Sequence, residues 1–417
     1  MLARYVDGEL TVEQASDPRW FYPAGDVDLR RTSFAGFRRP ISKVLGYEEV
    51  DGDIARISVL DDRGRRMRVL VLQHPDHPGR VWQSAMLQDP QDVAVRDAVA
   101  EDRSALRALE LATPVTHDGF EIAYDRPDPF AQDRLRERPT LRCVAEIDGR
   151  VVGSHTDAFH VLNLDAGPVP IVYRQNSRVL PDVQGKGVMP AMNAFQAERL
   201  FRDGIDREVL AFLARGNEKV RTWTQGTSAG RQPTWRVPIV RYTLDVQALS
   251  PSGDTWMGSP ADAAHVCALL NATHSHSVFW PGEPREWFPR RMTLAPADYT
   301  WTDLVVSNHA VVGIWDAGWT VVRSTGESRT RHRVATILDW GFDDPDSFVS
   351  TLAAACRIAS ARGITRLYAF GGPPAPGCAI LDDHCTTAES FDIFTGTRLP
   401  EPHRATTDGL YIDPLYF

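Results

Sequence analysis

At 417 residues, with 43% apolar and 24% charged residues, the chain is globular in composition and too long for one ordinary core, so two or three domains are expected. Its formal net charge of −9 argues against a general affinity for nucleic acid, whose phosphates require a basic face. No apolar run is long enough to span a bilayer, the opening MLARYVDGELTVEQ lacks the apolar centre of a secretory signal, and the five cysteines are odd in number and scattered. No membrane and no disulfide framework are expected, and the cytoplasm is the expected compartment.

In chain order, residues 1–90 form a β-rich N-terminal region. Within it, DIARISVLDDRGRRMRVLVLQH reads as a hairpin that turns at residues 61–64, with apolar alternation on both sides. No chemistry attaches to this region. Beyond it the elements recur. Residues 100–112 (AEDRSALRALELA) predict an amphipathic helix burying Leu106 and Leu109, and residues 260–272 (PADAAHVCALLNA) place Val266 and Leu269 likewise. Two strand–turn–strand segments follow, from Val144 and from Val305, each running into Val-Val-Gly. GIDREVLAF at 204–212 then matches GITRLYAF at 363–370, each a strand after a helix. The offset stays at roughly 160 residues, which predicts a duplication, with final strands at 240–246 and 409–417. The expected architecture is α/β with a mixed sheet, in units 91–250 and 251–417, joined through the Ser-, Pro- and Gly-rich stretch 247–258.

Chemistry concentrates in VLPDVQGKGVMPAMNAF, residues 179–195. Residues 172–180 predict a strand, 181–186 a tight connection, and Gly187 onward a helix with Pro190 in its first turn. Glycines let the backbone approach a ligand, and a helix start offers free N–H groups and a positive dipole end. With Lys186 between Gly185 and Gly187, a pyrophosphate is the natural guest. A P-loop is excluded by the missing GxxxxGK[ST], and a dinucleotide fingerprint by Pro190 where the third glycine would stand.

Val179-x-Pro181 followed by Gln184-Gly185-Lys186-Gly187 resembles the signature of the GCN5-related N-acetyltransferases. In that family a bulged strand leads into a loop, read as R/Q-x-x-G-x-G/A, that holds the pyrophosphate of acetyl-CoA on backbone N–H groups. The resemblance covers residues 92–246, and 259–417 in outline. It implies two tandem domains of this fold. It also implies acetyl-CoA or another acyl-CoA as co-substrate without a metal, and a binding set of Val179, Leu180, Gln184, Gly185, Lys186, Gly187, Val188 and Met189. Asn217 resembles the asparagine that lies near the pantetheine arm, and the oxyanion donor maps near Val179 and Leu180. Met189 departs from the small residue expected there, and NEKVRTWTQG lacks the family's general-acid tyrosine. In the second unit the loop maps to DDPDS, where Asp343, Asp344 and Asp346 would repel phosphate.

Candidates for proton handling are Tyr173 on the strand, His160 or His155 on its neighbour, and the terminal carboxylate of Phe417. The cluster CAILDDHC at 378–385 matches no zinc spacing. The expected function is acyl transfer from CoA, or from the pantetheine of an acyl carrier protein, to an amine of a small molecule or peptide. The alternative is a non-catalytic acyl-CoA-binding regulator or partner protein.

Overall fold

A computed structural model of the chain describes residues 41–51, 54–61, 66–73, 81–88, 93–117, 120–136, 140–164, 167–202, 208–214, 236–249, 253–295, 297–326, 328–395 and 409–416. Strands β1 (Ile41–Asp51), β2 (Ile54–Asp61), β3 (Arg66–Gln73) and β4 (Val81–Gln88) pair in sequence as a four-stranded antiparallel sheet. The expected hairpin is β2–β3, with Leu60 opposite Arg66.

Every later strand joins a second, continuous sheet. Its first half runs β5 (Ala94–Asp97), helix α1 (Arg103–Ala112), β6 (Val115–His117), β7 (Phe120–Asp125), short α2 (Ala131–Arg134) and β8 (Leu141–Ile147). It continues with β9 (Arg150–Leu164), β10 (Gly167–Val179), α3 (Val188–Arg202), β11 (Glu208–Ala214) and β12 (Arg236–Asp245). The second half runs β13 (Trp256–Met257), α4 (Ala263–His274), α5 (Pro284–Leu294), β14 (Leu304–Val306) and β15 (Ala310–Thr325). Then come β16 (Ser328–Phe342), α6 (Pro345–Ala361), β17 (Arg366–Gly371), α7 (Cys378–His384) and β18 (Thr387–Thr395).

The repetition extends to local geometry. Helices α1 and α4 both start through a 3-10 turn whose third residue reaches back: Asp102 accepts from Val99 N and Asp262 from Ser259 N, each at 2.8 Å. Leu106, Leu109, Val266 and Leu269 are all buried as expected. The register of β9 with β10 steps from Thr156–Gln175 to Ser154–Arg178, so two residues, Asn176 and Ser177, oppose His155 alone. Asn176 takes the bulge with φ of 50°, a conformation an asparagine tolerates better than most residues. The register of β15 with β16 steps the same way, from Ile314–Ile337 to Val312–Trp340, leaving Leu338 and Asp339 opposite Gly313. After each bulged strand comes a parallel neighbour held over a few residues only, at Ile171–Arg174 with Glu208–Ala211 and at Val334–Thr336 with Arg366–Tyr368. Beyond those pairs the strands part.

The strand order is β13-β14-β15-β16-β17-β12-β18-β11-β10-β9-β8-β5. Two strands have therefore changed places: β12 of the first half pairs with β17, and β18 of the second half pairs with β11. They also pair antiparallel with each other, Arg236 opposite Phe394 through Thr243 opposite Thr387. A single apolar cluster crosses this seam, joining Ile171, Tyr173 and Ile239 to Phe288, Trp315, Phe391 and Leu415. Each such side chain, fully buried, contributes about 1.5–3 kcal/mol.

The expected final strand at 409–417 is not one. Leu410 makes isolated bridges with Val278 and Gly372, and residues 414–416 turn as a 3-10 helix. Pro414 has no N–H for a ladder, and Asp413 Oδ1 accepts from Leu415 N at 3.1 Å, which turns the chain. The closing strand of the second half is β18 instead.

Candidate acyl-donor site

The bulged strand β10 leads through a 3-10 turn (Pro181–Val183) into the glycine loop and α3. Gly185 and Gly187 have φ of 82° and 85°, left-handed values that explain why the loop is built from glycine. Gln184 Nε2 donates back to Val179 O at 3.1 Å and Lys186 N donates to Val183 O at 3.2 Å, so the loop curls on itself. The first bond closing the helix runs from Ala191 N to Gly187 O at 3.0 Å. The N–H groups of Val188 and Met189 therefore precede that ladder, and Pro190 has none to satisfy. Gln184, Gly185 and Lys186 are exposed, Gly187 and Val188 are buried, and Met189 is half-buried. No acidic residue stands in the first turn of α3, and Asp182 just before the loop is tied to Arg150 at 3.0 Å. Helix-start donors, a positive dipole end and one exposed lysine are the features an anion would require, and they make this the candidate anion site. Gly153 lets it sit flat on β9, because a Cβ there would lie 2.8 Å from Val188 Cγ1.

Beside the loop, β10 has lost β11. Pairing ends at Arg174–Ala211, so among the described residues no strand pairs with Gln175–Val179 on that side and the sheet is open there. Leu180 N is already engaged, donating to Val152 O at 2.9 Å. The resemblance maps the oxyanion donor near Val179 and Leu180; with Leu180 N engaged, the residues outside the β9 register are Asn176 and Ser177, earlier on the strand.

Tyr173 and His160 share one face of the sheet, their ring centroids 6.0 Å apart. Tyr173 is 4% exposed and belongs to the apolar cluster that holds Tyr411, Ile412 and Leu415. Burial pushes the half-buried His160 down to about 4, opposed by Asp413 and reinforced by Arg291 and Arg136. Arg136 Nε donates to Leu415 O at 3.1 Å, and Arg291 joins Asp339 (2.6 Å) to Asp413. Segment 409–416 thus converges on the face that carries Tyr173 and His160. Phe417 and Asn217 lie outside the described residues.

No family model matches the chain, and no curated protein matches it in sequence. Among solved structures it is similar to the N-myristoyltransferase of Saccharomyces cerevisiae with bound myristoyl-CoA, at 10% identity over 75% of this chain and 84% of that one, with a TM-score of 0.53. The same enzyme with myristoyl-CoA and inhibitors gives 11% identity, 75% and 81% coverage and a TM-score of 0.52. A tandem GNAT protein from the clavulanic acid biosynthesis pathway is matched at 12% identity over 74% of this chain and 100% of that one, with a TM-score of 0.45. The chain shares the fold of these N-myristoyltransferase structures.

In the second half of the fold, the helix after the bulged strand starts differently. Asp344 caps α6 by accepting from Ser347 N at 2.9 Å, and hydrogen bonding by the Ser347 side chain, then by this N–H, holds its carboxyl below the usual range. Asp343 Oδ1 meets His309 Nδ1 at 2.9 Å. The helix start that would receive a phosphate is closed by the chain's own carboxylate. The opening between β16 and β17 is also occupied. Gly372, just past β17, exchanges both backbone bonds with Leu410, at 3.1 and 3.0 Å.

In the first half of the fold, sequence reasoning passed over Asp157 and Ser177. His155 is fully buried, with Nδ1 2.7 Å from Ser177 Oγ and Nε2 3.2 Å from Asp157 Oδ1. Arg174 Nε donates to the same carboxylate oxygen at 3.1 Å. Alternation along β9 already places His155 and Asp157 on one face. What hides Ser177 is the bulge, which changes the register by one residue.

Proposed function

We propose that the protein is an N-acyltransferase that carries an acyl group from CoA to an amine on a small molecule or peptide. The observation that carries this reading is the bulged β10, parting from β11 and running into the glycine–lysine start of α3. The likeness to a transferase solved with myristoyl-CoA supports an acyl-CoA as co-substrate. Residues 184–189 would receive the pyrophosphate, and the opening along residues 175–179 would take the pantetheine arm and thioester. A carrier-protein pantetheine would fit the same opening. Residues 91–250 carry the donor site, and 251–417 close the sheet and shape the acceptor side.

Attack on the thioester needs a neutral amine, whose free pKa is near 10. His160, held near 4, is an unprotonated acceptor at neutral pH. Tyr173 lies beside it on the same face. Backbone N–H groups at the bulge would meet the developing oxyanion, a contribution of about 3–4 kcal/mol where such a donor has been removed.

Calorimetric titration with CoA should give one site per chain. Lys186→Glu, at an exposed position, should weaken binding at least about tenfold by reversing the charge beside the phosphates. Gly187→Glu should abolish it. Release of free thiol from acetyl-CoA should depend on an added amine. Unchanged CoA affinity in a folded Gly187→Glu protein, or two sites per chain, would sink the assignment.

A further inference from the structure

We propose that Ser177 is a nucleophile, driven by His155 and Asp157, that accepts the acyl group as an ester before it passes to an amine or to water. This rests on the acyl-CoA reading for its donor, and extends it from direct transfer to a covalent intermediate.

The three side chains stand in line. Asp157 is wholly buried, and Arg174 and His155 keep it ionised against that burial. An ionised carboxylate only accepts, so His155 Nε2 must carry the ring proton and donate it to Asp157 Oδ1. That leaves Nδ1 with a bare lone pair, 2.7 Å from Ser177 Oγ, and the serine hydroxyl donates to it. Ser177 itself is exposed, whereas His155 behind it is 0% exposed. The hydroxyl is thus the one member of the chain that a substrate can touch. It sits in the bulge, where β10 has already parted from β11, beside the opening assigned to the thioester.

A bulge in this fold does not require such a set. In the second half, Asp339 occupies the place of Ser177 and Gly313 the place of His155. There Tyr299 and Arg291 satisfy the bulge residue, with Tyr299 Oη 2.9 Å from Asp339 Oδ2. One backbone device thus has two fillings, and only the first ends in an exposed hydroxyl backed by an imidazole and a carboxylate. That is the arrangement of an activated serine.

The chemistry balances without a further reagent. Ser177 Oγ attacks the thioester carbon as its proton moves to His155 Nδ1, and ionised Asp157 stabilises the imidazolium. The C–S bond breaks, and the thiolate leaves with the proton from His155. An amine or a water molecule then attacks the ester, His155 takes its proton, and Ser177 Oγ recovers that proton as it departs.

The test uses the full chain with acetyl-CoA, and separately with p-nitrophenyl acetate as a donor that needs no CoA site. Reactions are quenched in acid and read by intact mass and peptide mapping. One acetyl per chain on Ser177 is expected, absent from Ser177→Ala and formed roughly 10²–10⁴-fold more slowly in His155→Gln. Ser177→Cys should still capture the acyl group, as a thioester, which guards against a buried-site variant that fails to fold. The proposal is overturned if the wild type binds CoA and acylates an amine without any adduct, an outcome that leaves the transferase reading standing. An adduct retained in Ser177→Ala overturns it as well. If CoA fails to bind while p-nitrophenyl acetate labels Ser177, the nucleophile stands and the acyl-CoA reading falls.

Discussion

The two halves share a bulged strand, a short parallel pairing and a helix beyond it, yet only one start of that helix is open. In the first half Gly185, Lys186 and Gly187 leave donors and a positive charge facing outward. In the second, Asp344 has turned the same helix end inward on itself, and segment 409–416 lies at the gap. The backbone devices persist where the ligand chemistry does not. The bulge and the parting of strands are therefore scaffold, and the halves differ in a handful of residues at the helix start.

The most severe way to break this comparison is to separate the halves. Deleting residues 251–417 removes β18 from between β11 and β12 and uncovers the shared apolar cluster. Such a chain should aggregate on expression; a soluble, cooperatively folded fragment that binds CoA would show the halves to be independent.

Next in size is the buried ion network of the second half. Arg291→Met leaves Asp339 and Asp413 without their cation, and burial already raises the carboxyl of Asp339. A loss of about 3–5 kcal/mol in urea unfolding is expected. CoA affinity should follow only if the seam transmits the change, so a folded variant with normal binding would confine the damage to one half.

Acidification probes the same half through His274, which is 2% exposed and whose Nε2–H donates to Trp340 O at 2.8 Å. Burial pushes it down to about 4, whereas an unfolded histidine titrates near 6.5. Between those values the unfolded chain binds a proton that the folded chain refuses, so stability rises with pH and falls as pH drops. The expected loss from pH 7 to pH 5 is about 2 kcal/mol from this residue. His274→Phe should flatten that slope, and an unchanged slope would mean the ring is not the titrating group.

The smallest effect should come from the helix start itself. Asp344→Ala removes a cap and should cost about 1 kcal/mol without altering CoA stoichiometry. A second CoA site in this variant would mean that the carboxylate, and not the filled gap, had excluded the ligand.

Much of this architecture could be read from residue pattern alone. Helical periodicity fixed the burial of Leu106, Leu109, Val266 and Leu269, and the glycine pair marked a tight loop with bare backbone, whose left-handed φ values the structure adds. Those signals are local. The exchange of β12 and β18 is not, because an alternating strand carries no mark of which neighbour it will choose. Segment 409–417 looked like a strand since its aromatic and branched residues favour one; Asp413 and Pro414 overrode that preference. At the site, Lys186 stood out by its rarity, whereas Ser177 was invisible until the bulge set its partner. Register across a bulge depends on two strands at once, and spacing along one of them cannot reveal it.

The exchange of strands has a consequence for how the molecule comes into being. Arg241 and Glu389, ion-paired across β12 and β18, are 148 residues apart in the chain. A ribosome that has finished β11 has not yet made the strand that must lie against it. The first half can therefore hold its helices and hairpins during synthesis, but its sheet stays unfinished until the second half follows. Any chain cut short before β18 would carry the glycine loop without the frame that positions it. Premature products should then be silent, and cleared as unfolded protein.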